Sequence, residues 1–128
     1  MATMHVELVS VERALWSGEA TAVFARTTAG ELGILPGHTQ LLGALEPGWT
    51  VRIDRVDDEP LKVAVHGGFL SVRTGAVSIL AEMAEAAADI DVSRARQALD
   101  RAQRESGPEA DEAQARALAR LRAAGEAV

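Results

Sequence analysis

From residue 5 to residue 81 apolar and polar side chains alternate in short runs, with turn formers between the runs. Period two is the signature of a half-buried strand, so this part of the chain cannot pack as helices. Val6 and Leu8, followed by Val9 and Val11, give an alternation that slips by one residue, a strand over 5–12 with a bulge at Leu8-Val9. Trp16-Ser17-Gly18 reads as a turn, and Thr21, Val23 and Ala25 as one face of a second strand that ends at Thr27-Thr28-Ala29-Gly30. Leu32, Ile34 and Leu35, then Leu41, Leu42 and Leu45, flank Pro36-Gly37. That pair suits the centre of a type II turn, because proline presets φ and glycine accepts a positive one. Pro47-Gly48 repeats the device, and Trp49, Val51 and Ile53 then share a face. Asp57-Asp58-Glu59-Pro60 is an acidic hairpin tip, Leu61, Val63 and Val65 start another strand, and Gly67-Gly68 permits a kink. Leu70 and Val72 pair with Val77, Ile79 and Ala81 around Thr74-Gly75. Short strands with turn signals about every 8–12 residues predict an antiparallel β-sandwich or barrel.

At Ala81 the period changes. Residues 81–89 are rich in Ala and Glu and read as a linker. Asp91 is placed to cap a helix that carries Val92, Ala95, Leu99 and Ala102 at three- and four-residue spacing. Ser106-Gly107-Pro108 stops that helix, and Pro108 can open the next. Ala113, Ala117, Leu118, Leu121 and Ala124 form a second stripe, with Gly125 as the C-terminal cap. Asp100 with Arg104, and Glu112 with Arg116, are i,i+4 pairs in the favourable order. The expected architecture is therefore an N-terminal antiparallel β-sandwich or barrel over 1–88, then a linker and a two-helix antiparallel hairpin over 89–128. The hairpin's large apolar side chains are Val92, Leu99, Leu118 and Leu121, whose full burial is worth roughly 10 kcal/mol. Ordering its backbone costs more, so the hairpin is expected to be stable mainly when docked.

The chain has no cysteine, which excludes disulfides, zinc–thiolate sites and thiol nucleophiles. Lys62 is the only lysine and no GK[ST] loop occurs, so a phosphate-binding P-loop is excluded. No apolar run reaches the ~18 residues of a membrane span, and the start of the sequence lacks the pattern of a secretory signal. Residues 1–90 hold six Arg/Lys against twelve Asp/Glu, while 91–128 are balanced at seven each. An acidic first part argues against nucleic acid as a partner.

Glu31-Leu32-Gly33-Ile34-Leu35-Pro36-Gly37-His38 with Leu41-Leu42 resembles the signature loop of the epsilon subunit of the bacterial F-type ATP synthase. Trp16-Ser17-Gly18, Gly67-Gly68-Phe69-Leu70-Ser71-Val72 and Val77-Ser78-Ile79-Leu80-Ala81 follow the same family at its spacing. Gln40 stands where that family usually has proline. The resemblance implies the sandwich rather than the barrel, and a non-catalytic central-stalk subunit, peripheral on the cytoplasmic face of the cell membrane. Its sandwich would join the gamma subunit to the ring of c subunits, and its helices would restrain ATP hydrolysis. It implies c-ring contact through Glu31, Pro36, Gly37 and His38, and gamma contact through Trp49 and Val51. Contact with the alpha/beta catalytic head would run through Arg116, Arg120 and Arg122. Ile90-Asp91-x-x-Arg94-Ala95 is similar to the nucleotide-binding motif of some bacterial epsilon subunits. With Arg116 and Arg120 it implies a regulatory ATP, although no cofactor is required.

The residues alone leave other readings open. Trp49 suits a core position as well as a binding patch. Asp91 and Arg94 suit a helix cap and a solvated face. A free-standing nucleotide-sensing module built on Asp91 and Arg94 is the alternative function. A metal-dependent β-enzyme using His5, His38 and His66 is a weaker rival, since no two of them have ligand spacing.

Overall fold

The computed structural model describes residues 2–128. Seven strands come first: β1 (Met4–Ser10), β2 (Ala14–Thr27), β3 (Gly30–Ile34), β4 (Leu41–Ala44), β5 (Thr50–Arg55), β6 (Leu61–Arg73) and β7 (Ala76–Ala86). A 3-10 turn at Ala87–Asp89 leads into α1 (Val92–Gln103) and α2 (Pro108–Ala123). The strand order is β1-β7-β6-β5-β2-β3, with β4 on β6, and β1 also pairs with β2. β1 runs parallel to β7, and the other pairs are antiparallel.

Two long strands make this a sandwich. The first half of β2 pairs with β1, and its second half with β5 and β3. β6 pairs first with β5 and then with β4, and with β7 throughout. The aliphatic core between the layers includes Val6, Leu8, Val23, Ile34, Ile53, Leu70, Val72, Val77 and Ile79. The alternation expected from the sequence holds in these strands, including the bulge at Leu8-Val9.

At Gly67-Gly68 β6 exchanges its faces. Val63 and Val65 point into the core before the pair, and Leu70 and Val72 after it. Gly67 has φ +76° and Gly68 φ +138°, and a Cβ on Gly68 would lie 2.3 Å from the Leu80 carbonyl oxygen. Glycine is required there by both backbone conformation and close approach. β7 follows the same change: Ala81 and Ile79 face the core on one side of it, and Ala84 on the other.

Two expectations are corrected. Trp16-Ser17-Gly18 is not a turn but lies within β2, opposite Leu8, Glu7 and Val6. The turn comes earlier, where Ser10 N–H donates to the Arg13 carbonyl, and Val11 is exposed. Gly18 is present because the Trp16 indole lies across it: a Cβ there would come within 2.7 Å of the ring. Residues 81–86 are not a linker but the end of β7, paired with β6 as far as Val63 opposite Ala86. Tertiary pairing overrides the weak strand preference of Ala and Glu.

In α1, Asp91 caps as expected, accepting from the Arg94 backbone N–H at 3.0 Å. Asp100 and Arg104 form their pair at 2.9 Å. Glu112 and Arg116 do not form one; both line a cleft against the sheet beside His66 and Gly67. The stripe expected on α2 is only half of its buried surface. Ala119 and Ala123 are also buried, on Ala64 of β6, with Ile90 and Ala87 beside them. α2 is thus a two-sided helix, held between α1 and the sandwich.

Candidate functional site

α2 is held on the sandwich by a seam of alanines with polar contacts along it. Arg120 Nε donates to Glu85 Oε1 at 2.7 Å, and His66 Nε2 lies 3.0 Å from the same oxygen. Burial pushes the His66 pKa below its ordinary value, the Glu85 hydrogen bond opposes this, and the Arg120 charge adds to the lowering. In the neutral Nε2–H tautomer His66 donates to Glu85, which then accepts from both sides. Burial alone would raise the Glu85 pKa, but hydrogen bonding and charge from Arg120, then from His66, bring it below the ordinary value. Further along, Arg122 donates to the Gly48 carbonyl and lies 3.9 Å from the centre of the Trp49 ring. Arg26 lies over the same ring at 4.3 Å. The Pro47-Gly48 turn makes this contact possible, since Gly48 (φ +89°) brings its carbonyl against α2.

The residues expected to meet other proteins fall into three groups. Pro36, Gly37 and His38 form the β3–β4 tip, closed by the His38 N–H on the Leu35 carbonyl. The Thr74-Gly75 hairpin lies beside this tip, and Arg73 lines the crevice between them. Glu31 is not at the tip. It stands on β3 opposite Arg26, and the two side chains pair at 3.1 Å. Trp49 is half-buried beneath arginines. Val51 is only 2% exposed and belongs to the core, so it has no surface to offer a partner. The same alternation that placed Val51 beside Trp49 turns it inward once β5 begins at Thr50.

A face that sequence reasoning missed lies on the outside of β4, β6 and β7. Leu42 is 73% exposed, Phe69 55% and Leu80 53%. Phe69 sits opposite both Leu80 and Ala44, and Leu42 opposite Ser71, so these side chains are neighbours on one sheet face. The signal was present: the face exchange at Gly67-Gly68 turns Phe69 outward. Without the partner strand's register it could not be read.

Asp91, Arg94 and Arg120 line one cleft with Glu85 and Asp89. Ile90 is packed under α2, and Arg116 opens on a different cleft with His66, Glu82 and Glu112. Of the five residues expected at a nucleotide, three come together. The cleft balances two arginines with three carboxylates, and Arg120 is already held by Glu85. The three histidines are dispersed: His5 beside Glu19 and Ser17, His38 on the Thr39 carbonyl and His66 on Glu85. They do not form the shared site that the metal-enzyme reading needs. Among the described residues no helix is long and apolar enough to cross a membrane.

The chain thus combines an aliphatic sandwich that exposes an apolar sheet face with a looped end and a pair of helices packed on it mainly through alanines. Residues 3–87 match the family described as ATP synthase, Delta/Epsilon chain, beta-sandwich domain, and the chain belongs to that family. It is 51% identical over 122 residues to the ATP synthase epsilon chain of Streptomyces avermitilis, covering 95% of each. It is also 51% identical over 126 residues to that of Mycolicibacterium vanbaalenii, covering 98% of each. Among solved structures it is similar to a chain of the Euglena gracilis mitochondrial ATP synthase OSCP/F1/c-ring assembly. The TM-score there is 0.78 and the identity 26%, over 98% of this chain and 81% of that one. A chain of the Tetrahymena thermophila central stalk and c-ring shares the fold, at a TM-score of 0.57 and 18% identity over 73% of this chain and 69% of that one.

Proposed function

We propose that this chain is a non-catalytic rotor subunit that couples gamma to the c-ring and restrains ATP hydrolysis through α2. It would work on the cytoplasmic face of the membrane, attached only through its partners. The observation that carries the reading is the double use of α2's arginines. Arg120 and Arg122, two of the three arginines expected to meet acidic segments of the catalytic head, hold α2 on Glu85, Gly48 and Trp49, while the third, Arg116, lines a cleft beside His66. Sandwich and head would compete for one set of side chains. An equilibrium of that kind moves when the two sites differ by only a few kcal/mol.

Gamma would be met by the open face of Leu42, Phe69 and Leu80, with Trp49 at an edge that α2 uncovers when it leaves. Apolar patches rimmed by polar groups mark such interfaces. The tip at Pro36–His38, with Arg73 beside it, would rest on the ring's polar loops. Glu31 would have to exchange Arg26 for a ring residue to take part. Photo-crosslinking from position 42 or 69 in the assembled complex tests this reading. Capture of gamma is the expected result, and absence of gamma from both products overturns the assignment of the face.

A second reading concerns regulation by ATP. The shared cleft of Asp91, Arg94 and Arg120 favours it. Phosphate oxygens would have to take Arg120 from Glu85, so ATP binding should weaken when Arg94→Gln is introduced and strengthen in Glu85→Gln. Titration of the purified chain with ATP measures both effects.

A further inference from the structure

We propose that a second cleft, where the outer face of β2, β3 and β5 meets the end of α2, binds small phosphate-bearing anions. Arg26, Arg52, Lys62 and Arg122 line it together with Trp49 and Glu31. The cleft has a volume of about 560 Å3, within the usual range for a small-molecule site. It shares no residue with the cleft of Asp91 and Arg94.

Cations gather here against their own repulsion, on a chain of net charge −6. Arg52 stands directly opposite Lys62 on neighbouring strands, a like-charge pairing that destabilises a sheet. Arg26 and Arg122 approach one indole, at 4.3 and 3.9 Å from its centre. Burial and the Arg26 charge both disfavour the charged form of Arg122. Carboxylates offset only part of this charge. Glu31 takes Arg26, and Asp54 takes Arg52 through two contacts of 3.0 and 3.3 Å. Among the described residues neither Lys62 nor Arg122 has a carboxylate within ion-pair distance.

Two uncompensated cations in one small cleft match the charge of a single phosphate, about −1.5 to −2 near pH 7. The guanidiniums are held in advance by stacking: Arg26 and Arg122 on Trp49, and Arg52 on Phe24 at 4.4 Å. Less freedom is then lost when an oxyanion arrives, and a planar fork suits two phosphate oxygens. Inorganic phosphate, pyrophosphate and the phosphate chain of a nucleotide share this chemistry. Because Arg122 belongs to α2 while Lys62 belongs to the sheet, an anion held by both ties helix to sandwich. It stabilises the docked hairpin by mass action.

The test is titration of the full chain with inorganic phosphate, pyrophosphate and ATP in separate arms, at ionic strength held constant with sodium chloride. Tryptophan fluorescence and Tm are recorded in each. A saturable change is expected with inorganic phosphate or pyrophosphate, with affinity reduced at least tenfold in Lys62→Gln and in Arg122→Gln but retained in Arg94→Gln; in the ATP arm, the binding that survives Arg94→Gln is the part lost in Lys62→Gln and Arg122→Gln. Relative affinity across the arms identifies the source. Lys62 is exposed, so its replacement does not threaten the fold. Absence of saturation beyond the chloride control in every arm overturns the proposal. So does binding that Lys62→Gln and Arg122→Gln leave unchanged, or that is lost only in Arg94→Gln.

Discussion

The interior of the sandwich and the seam beneath α2 are both apolar contacts of one chain, yet they are built from different side chains. The interior holds fully buried Leu8, Ile34, Ile53, Leu70 and Ile79. The seam has Ala64, Ala119 and Ala123, with Ile90 and Ala87 at its margin, and relies on Arg120 and Arg122 for the rest. A buried Leu or Ile removes several times the area of a methyl group, and stabilisation follows area. Stability is therefore concentrated in the sandwich, and the seam is the weaker of the two contacts. α1 is held more lightly still, packing on α2 and clasped by the Arg96 pair with Glu126 at 2.8 Å.

The largest effect should come from the interior. Leu70→Ala should cost about 2–5 kcal/mol, read from urea unfolding. A value below 1 kcal/mol would mean that the interior is no better packed than the seam. Next comes Trp49→Ala, which should weaken gamma binding by about 2 kcal/mol while changing the stability of the isolated chain much less. Calorimetry on both quantities separates a binding residue from a core one. Smaller again is Arg120→Gln. The ion pair is a quarter exposed, so its loss should cost about 1 kcal/mol and appear in the hairpin alone. Hydrogen exchange should speed up in α1 and α2 and stay unchanged in β6 and β7. Equal acceleration in both regions would erase the distinction.

The seam also carries a pH dependence. Burial, and then the charges of Arg120 and Arg116 on α2, hold the His66 pKa below its ordinary 6.5 while Glu85 opposes them, so release of α2 should let His66 take up a proton more readily. Docking is then strongest above pH 6.5 and is lost progressively as pH falls below it. Against the burial that would raise it, Arg120 and His66 hold the Glu85 pKa below its ordinary 4.5, which acts in the same direction at lower pH. Glu82, Met83, Glu112 and Arg116 also surround His66 and move with α2 or β7. His66→Gln should flatten the upper part of this profile. Hydrogen exchange of α2 measured between pH 7.5 and 5.5 reads the effect.

Most of the sandwich was legible because its strands are half-buried and follow strict alternation. The turns at Pro36-Gly37, Pro47-Gly48 and Thr74-Gly75 were legible because positive φ demands glycine. Trp16-Ser17-Gly18 misled because a glycine that makes room for an indole looks the same as one that turns the chain. The end of β7 was hidden because Ala and Glu form a strand there only by pairing with β6. Of the candidate contacts, the tip was visible, whereas the open face at Phe69 and Leu80 depends on a face exchange shared by two strands. The seam was missed because Ala119 and Ala123 resemble filler until Ala64 is placed against them. Val51 failed as a surface residue because alternation gives a shared face without telling which way that face points.

The central claim is that α2 leaves the sandwich in order to restrain hydrolysis. The chain has no cysteine of its own, so Ala64→Cys combined with Ala119→Cys gives a disulfide that can only bridge the seam. The decisive measurement is the ATP hydrolysis rate of the assembled complex with that bridge oxidised and then reduced. Hydrolysis should be faster when α2 is locked down, approaching the rate of a complex whose subunit lacks residues 91–128. Equal rates in the oxidised, reduced and truncated complexes would contradict the claim and leave the hairpin a fixed support.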